Sequence, residues 1–132
     1  MPLEDEYLDV LQNIEFAIVS VYQKQRDLRD LQVMRALDAL IELYRAESRG
    51  HQPKQHSLPE QENLVFERVK TMCKFRLGRE SLGKEGRNVS IPLPITVDEI
   101  LSCLRKIRRS VERWNKRYGK QGYLQFISEF VK

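Results

Sequence analysis

Five basic residues at helical spacing are the strongest candidates for chemistry in this chain. Lysine and arginine recur at three- and four-residue intervals, at Lys106, Arg109, Arg113, Lys116 and Lys120. At 100° per residue, this spacing places the five side chains on one arc of a helix. A row of cations along a helix is suited to binding consecutive phosphates. These five residues, called the basic row below, are the candidates for binding nucleic acid or another polyanion. An ordinary solvated basic face is the interpretation that the sequence favours.

One further segment has the outline of a phosphate-binding loop. The spacing Gly78-x4-Gly83-Lys84 matches its glycines and lysine, but Glu85 occupies the position where a serine or threonine would contact magnesium. The segment before it has the pattern of a helix rather than of a strand. We therefore do not expect a nucleotide cofactor here.

The histidines and cysteines do not form a catalytic or metal-binding pattern. His51 and His56 lie in a polar connector, and their spacing fits no pair of ligands on one helix. Cys73 and Cys103 are 30 positions apart, are not part of a CxxC motif, and are expected to be small core residues. No nucleophile has a histidine at a recognisable spacing. We expect no catalytic residue, no metal site and no cofactor, although an enzyme of unrecognised type stays a second alternative.

The helix that carries the basic row, spanning about 97–118, is the best-defined element of the sequence. The run Thr96-Val97-Asp98-Glu99 matches a capping box, which favours a helix start at this point. A heptad-like apolar seam follows, and it predicts burial of Val97, Leu104, Ile107, Val111 and Trp114. Arg108 lies at the edge of this seam, so we expect it to pair with a carboxylate from the acidic first half of the chain.

The first half of the chain predicts two helices. Residues 3–49 contain neither glycine nor proline, and their apolar residues follow a helical period. The phase of that period slips by about half a turn near Lys24–Leu28, which predicts a break, with Asp27 as the N-cap of the second helix. A single bent helix over residues 5–48 is the alternative.

The remaining elements complete an all-α architecture. Ser57-Leu58-Pro59-Glu60 matches a capping box for a third helix, which Gly78 ends. Residues 78–95 are expected to form one long irregular loop. Residues 123–130 are expected to form a short closing helix. We expect a four- or five-helix, largely antiparallel bundle, folded as a single domain over residues 1–132.

Charge and composition exclude some classes of function but do not identify the function. Residues 1–62 carry 7 basic and 12 acidic side chains, whereas residues 63–132 carry 16 and 7, so the halves differ in sign. The acidic N-terminus does not resemble a signal peptide, and the apolar runs are too short to cross a membrane. The main expectation is a non-catalytic cytoplasmic interaction or assembly module that contacts a protein partner or itself as a homodimer. Nucleic-acid or polyanion binding is the alternative.

Overall fold

The chain forms five helices in the computed structural model, which describes residues 2–53, 57–78 and 94–130, with side chains from Leu8 onward. The helices are α1 (Pro2–Lys24), α2 (Asp30–Ser48), α3 (Glu60–Arg76), α4 (Val97–Tyr118) and α5 (Gly122–Phe130). These ranges contain no β-strand, so the predicted all-α bundle is confirmed. None of these helices combines the length and the apolarity that crossing a bilayer requires.

The helices are arranged so that consecutive α1 and α2 do not form the main contacts with each other. Helix α2 packs chiefly on α4 and α3, while α1 packs on α3 and α4. Helices α1 and α2 therefore occupy opposite corners of a four-helix bundle. The short α5 lies across one end and contacts α4, α1 and α2. The face of α4 that points away from the two neighbouring corners is left open to solvent.

The predicted break in the first half of the chain is present. Residues 25–29 separate α1 from α2, so residues 5–48 are not one continuous helix. The prediction that Asp27 caps α2 is wrong, because the N-cap is Arg29, whose backbone N–H donates to the Gln32 side-chain oxygen at 2.9 Å. Asp27 instead accepts a 2.8 Å hydrogen bond from the Gln61 side chain of α3. The Asp27 carboxylate thus links the α1–α2 connection to α3 and does not cap α2.

The two predicted capping boxes have different outcomes. At the start of α4, the Thr96 hydroxyl accepts from the backbone N–H of Glu99 at 3.1 Å, and the Glu99 carboxylate accepts from the backbone N–H of Thr96 at 3.0 Å. The box at Ser57 does not form, because α3 begins only at Glu60 and Pro59 is its N-cap. Proline is favoured next to the first helical turn since it has no N–H to satisfy, and this moves the helix start beyond the serine.

The core confirms most of the predicted seam of α4. Leu104, Ile107 and Val111 are buried, together with aliphatic residues from the other four helices. Val97 and Trp114, predicted to be buried, are only half-buried. Both lie near an end of α4, where the flanking helices cover its apolar face incompletely. The periodicity identified the correct face but not the length over which it is covered.

The short helix α5 is held at the end of the bundle by polar contacts to the α1–α2 connection. The side-chain amide of Gln121 donates to the backbone carbonyls of Arg26 and Leu28 at 2.7 and 2.8 Å. The backbone N–H of Asp30 donates to the carbonyl of Lys120 at 2.8 Å. The Asp30 carboxylate is fully buried and also accepts from α5. These hydrogen bonds therefore hold the α1–α2 connection against the α4–α5 connection.

The predicted irregular loop at 78–95 falls mostly on residues 79–93, which lie outside the described residues, as does the Gly83-Lys84 part of the loop-like motif. Its two ends are described and lie together. The backbone N–H of Ile95 donates to the carbonyl of Arg76 at 3.0 Å. This bond anchors the start of α4 beside the end of α3.

Candidate polyanion interface

Helix α4 presents four members of the basic row to solvent. Lys106, Arg109, Arg113 and Lys116 are all exposed, on the side opposite the buried seam. Lys120 is exposed as well, but its predicted place on the same helix is wrong, because α4 ends at Tyr118 and Gly119 has a φ of +90°. A residue in that left-handed conformation terminates the helix. Lys120 therefore lies in the α4–α5 turn, beyond the helical part of the row.

The basic row has no acidic partners within residues 8–53, 57–78 and 94–130. The ion pairs formed by those residues involve other cations. The three carboxylates of α4 itself have different partners: Asp98 accepts from Ser48 at 2.8 Å, Glu99 completes the cap at Thr96, and Glu112 pairs with Arg108. The positive charge of the row is therefore left without a neutralising contact from the described part of the fold.

Arg108 shows the contrast with the basic row. Its Nε donates to Asp38 of α2 at 2.9 Å, and its Nη1 donates to Glu112 at 2.6 Å. These two hydrogen bonds, with Asp38 the stronger influence, raise the pKa of Arg108. The predicted pairing with a carboxylate of the first half is confirmed. Arg108 joins α4 to α2, so it does not belong to the exposed interface.

An aromatic row continues the seam side of α4 at its C-terminal end and crosses from α4 to α5. Trp114 stacks on Tyr118 with ring centroids 5.0 Å apart and on Phe126 with centroids 3.8 Å apart, and Phe126 contacts Phe130 at 4.7 Å. The inner rings, Trp114 and Phe126, are half-buried against the core. The outer rings are open: Tyr118 is 59% and Phe130 71% exposed. Of these aromatic residues, Trp114 was predicted to be buried in the seam of α4.

A tight corner fixes the position of the aromatic row. A Cβ atom at Gly122 would lie 2.5 Å from the carbonyl oxygen of Trp114 and 2.8 Å from the Cβ of Tyr118. Only glycine permits such a close approach of α5 to the last turn of α4. This close approach forms a tight corner between α4 and α5. It holds the base of the Tyr118 side chain in place.

A second surface feature is an apolar groove between α1 and α5. It has a volume of about 510 Å³, and Leu8, Phe16, Phe126, Ile127 and Phe130 form most of its lining. Gln12, Asn13 and Glu15 also line it, so Glu15 is the one charged side chain among its described lining residues. Leu8, Phe16 and Phe130 are each more than half exposed. Clustered exposed apolar side chains of this kind mark interaction surfaces more often than scattered ones do.

Two carboxyl groups with raised pKa values, Glu15 and Asp30, lie near the buried phenol of Tyr123. Burial raises the pKa of Glu15, which lines the open groove, and that of Asp30, which is engaged by the backbone of α5. His51 is exposed, and His56 lies outside the described residues. Within those residues, no three His, Cys, Asp or Glu side chains are placed to hold a metal ion.

Comparison with known proteins gives no additional guide to these surfaces. No protein-family model matches the chain, and no curated protein and no solved structure is significantly similar to it.

Proposed function

We propose that this protein binds nucleic acid through the phosphate backbone, with the basic row of α4 as its contact surface. The observation that carries the proposal is the exposure of Lys106, Arg109, Arg113 and Lys116 without a carboxylate partner in the described part of the chain. Arg108 lies on the same helix and is neutralised by two acids. The lack of carboxylate partners is thus a property of the outward face of α4 and not of the whole helix.

The energetics of an isolated basic face favour an external anion. Like charges three or four residues apart on a helix cost a few tenths of a kcal/mol per pair. The C-terminal end of the helix dipole offsets part of this repulsion for the last turn. From Lys106 to Lys116 the row rises about 15 Å along the axis. At about 3.4 Å per phosphate along one strand, that length matches roughly four phosphates.

The proposal is tested by the salt dependence of binding. A fluorescently labelled oligonucleotide should bind at low salt, with an affinity that falls about 100-fold between 50 and 200 mM salt for roughly four released counterions. Reversing two charges, in Arg109→Glu/Arg113→Glu, should abolish binding and leave the circular dichroism spectrum unchanged. Both side chains are exposed and neither contributes to the core.

A matched control separates the basic row from net charge. Lys24→Glu/Arg68→Glu also changes two exposed cations to acids, and both double variants reduce the formal net charge from +4 to zero. Lys24 and Arg68 lie in a different region, a groove between α1 and α3. The control should keep at least half of the affinity. Equal loss in the two variants, or no salt-dependent binding of wild type, would refute the assignment.

A second candidate function, self-association as a homodimer, is supported by the apolar groove. Among the described residues, its lining is apolar except for Gln12, Asn13 and the acid Glu15. A twofold contact places the same surface of both copies together, so a nearly uncharged lining avoids repulsion between like charges. The basic row lies on another face and would stay accessible in such a dimer. A second copy of this chain is therefore the occupant that suits the groove.

The matched pair Phe16→Glu and Leu31→Glu tests self-association. Phe16 lies in the groove and Leu31 outside it, and their exposures are 52% and 51%. Sedimentation equilibrium at high micromolar concentration should show a dimer for wild type and for Leu31→Glu, and a monomer for Phe16→Glu. A monomeric wild type, or a dimer that survives Phe16→Glu, excludes this surface.

A further inference from the structure

The aromatic row specifies the proposed ligand further. We propose that the ligand is single-stranded nucleic acid, with one base stacked on the exposed ring of Tyr118 while the phosphates follow the basic row. The inference rests on the proposed function, because it assumes the phosphate contacts and adds a contact to a base. The carrying observation is that a supported and exposed aromatic ring lies at the end of the same helix as the unpaired cations.

Tyr118 is exposed although its position is rigid. Its ring is 59% exposed and stacks on Trp114 at 5.0 Å, and Trp114 is itself held by Phe126 at 3.8 Å. The close approach at Gly122 fixes the backbone beneath it. A ring that is already ordered loses little conformational entropy when a planar ligand stacks on it. Tyr118 thus has the properties of a stacking platform.

Charge continues from the basic row to this platform. The guanidinium of Arg117 lies 5.6 Å from the centroid of the Tyr118 ring. At 100° per residue, Arg117 lies on α4 between the direction of Lys106 and that of Trp114, whereas Arg113 lies on the far side of Lys106, within the basic row. Tyr118 lies on the seam side of α4, about 120° around the helix from Lys106, so a strand that follows the basic row reaches it by passing around the C-terminal end of α4 beside Arg117. Cationic tracks combined with exposed aromatic rings are the usual composition of single-strand binding surfaces.

The combination distinguishes single strands from other polyanions. In a duplex, each base face is covered by its neighbours, so an aromatic side chain outside the helix has no face to stack on. Inorganic polyphosphate and acidic peptides supply negative charge without nucleobases. The basic row alone would bind all of these ligands by charge, and Tyr118 adds affinity only where a base is free.

The test compares three labelled or competing ligands: an oligo-dT of about 12 nucleotides, a duplex of the same length and inorganic polyphosphate. Tyr118→Ala should weaken oligo-dT binding about 5- to 100-fold, the range expected for one stacked base, and should change duplex and polyphosphate binding less than about twofold. Tyr118→Phe keeps the ring and should retain the wild-type affinity. Leu31→Ala, which truncates a comparably exposed side chain on α2, should have no effect.

The single tryptophan supplies a direct readout of stacking. Trp114 is the only tryptophan in the chain and lies against Tyr118. Oligo-dT should quench its emission in wild type and in Tyr118→Phe, while polyphosphate should not. A merely structural role of Tyr118 would produce no such ligand-specific quenching.

The outcomes separate the two proposals. If none of the three ligands shows salt-dependent binding, the phosphate-binding function itself is refuted. If all three bind through Arg109 and Arg113 but Tyr118→Ala weakens none of them selectively, the phosphate contacts stand and the single-strand inference is refuted. Selective loss of oligo-dT binding, rescued by phenylalanine, supports both.

Discussion

The carboxylate of Asp30 accepts a 2.9 Å hydrogen bond from the backbone N–H of Tyr123, a residue 93 positions further along the chain. It also accepts a 3.2 Å bond from the N–H of Leu124. Because α5 begins at Gly122, these N–H groups belong to its first turn and have no acceptor within the helix. A side chain of α2 therefore caps α5. Negative charge at a helix N-terminus is also favoured by the helix dipole.

Removal of this carboxylate should destabilise the fold. Asp30→Ala leaves two buried N–H groups without acceptors, so we expect the free energy of unfolding to fall by about 2–4 kcal/mol. Asp38→Ala is the control on the same helix. Asp38 is largely exposed in its ion pair with Arg108, and its loss should cost less than about 1 kcal/mol. Urea unfolding measures both, and equal losses would contradict the capping role.

The pH dependence of stability should carry the signature of Asp30. Burial raises its pKa above the ordinary value of 3.8, and the two backbone hydrogen bonds only partly oppose that shift. The folded state then binds this proton more tightly than the unfolded state. The contribution of the carboxyl to stability is complete below pH 3.8 and is lost as pH rises through the raised pKa. The unfolding free energy of wild type minus that of Asp30→Asn should decline as pH rises from 3.8 through the raised pKa of Asp30. Above that pKa the difference should level off. A rise would contradict the assignment.

The hydroxyl of Tyr123 should be dispensable. It is buried and has no hydrogen-bond partner among the described residues. Burial, together with the nearby acids Glu15 and Asp30, raises the pKa of this phenol well above 10.0, which keeps it neutral. An unpaired buried hydroxyl costs free energy. Tyr123→Phe should therefore leave stability unchanged or raise it by up to about 1 kcal/mol in thermal or urea unfolding. A loss of stability would reveal a partner for the hydroxyl.

The corner at Gly122 should tolerate no side chain. An alanine Cβ would lie within 2.8 Å of both the Trp114 carbonyl oxygen and the Tyr118 Cβ, so the backbones of α4 and α5 must separate. We expect Gly122→Ala to cost about 1–3 kcal/mol and to change the Trp114 emission spectrum by loosening its stack with Phe126. Gln125→Ala, at an exposed position of α5, should change neither. An unchanged Gly122→Ala protein would contradict the close packing.

Neither cysteine should react in the folded protein. Burial raises the pKa of Cys73 to about 12 and also raises that of Cys103, and both thiols are free and buried. Alkylation requires the thiolate and access to it. Iodoacetamide at pH 8 should leave the native protein unmodified by mass spectrometry and should add two groups in urea. Rapid modification without denaturant would show that a cysteine is accessible.

The sequence predicted the features that depend on local pattern and missed those that depend on distant contacts. The start of α4 followed from its capping box, and the break before α2 from the slip in apolar phase. The role of Asp30 could not be predicted, because an aspartate in the first turn of a helix ordinarily indicates a contact with its own helix. The partial exposure of Trp114 was missed because periodicity identifies an apolar face but not where its covering helices end. Lys120 was placed on α4 because the spacing continues past Gly119, where the helix stops.

The diagonal placement of α1 and α2 has a consequence for the order in which the chain folds. Adjacent helices that pack together can collapse as a hairpin through short-range contacts, and such local topologies fold quickly. Here the apolar face of α1 receives its partners from the later helices α3, α4 and α5, and the Asp30 carboxylate at the start of α2 accepts from the backbone of α5. During synthesis, α1 and α2 would emerge with their apolar faces uncovered until the later helices follow. The rate-limiting step should therefore depend on residues beyond Glu60, and C-terminal truncation that removes α5 should impair folding more than its nine residues suggest.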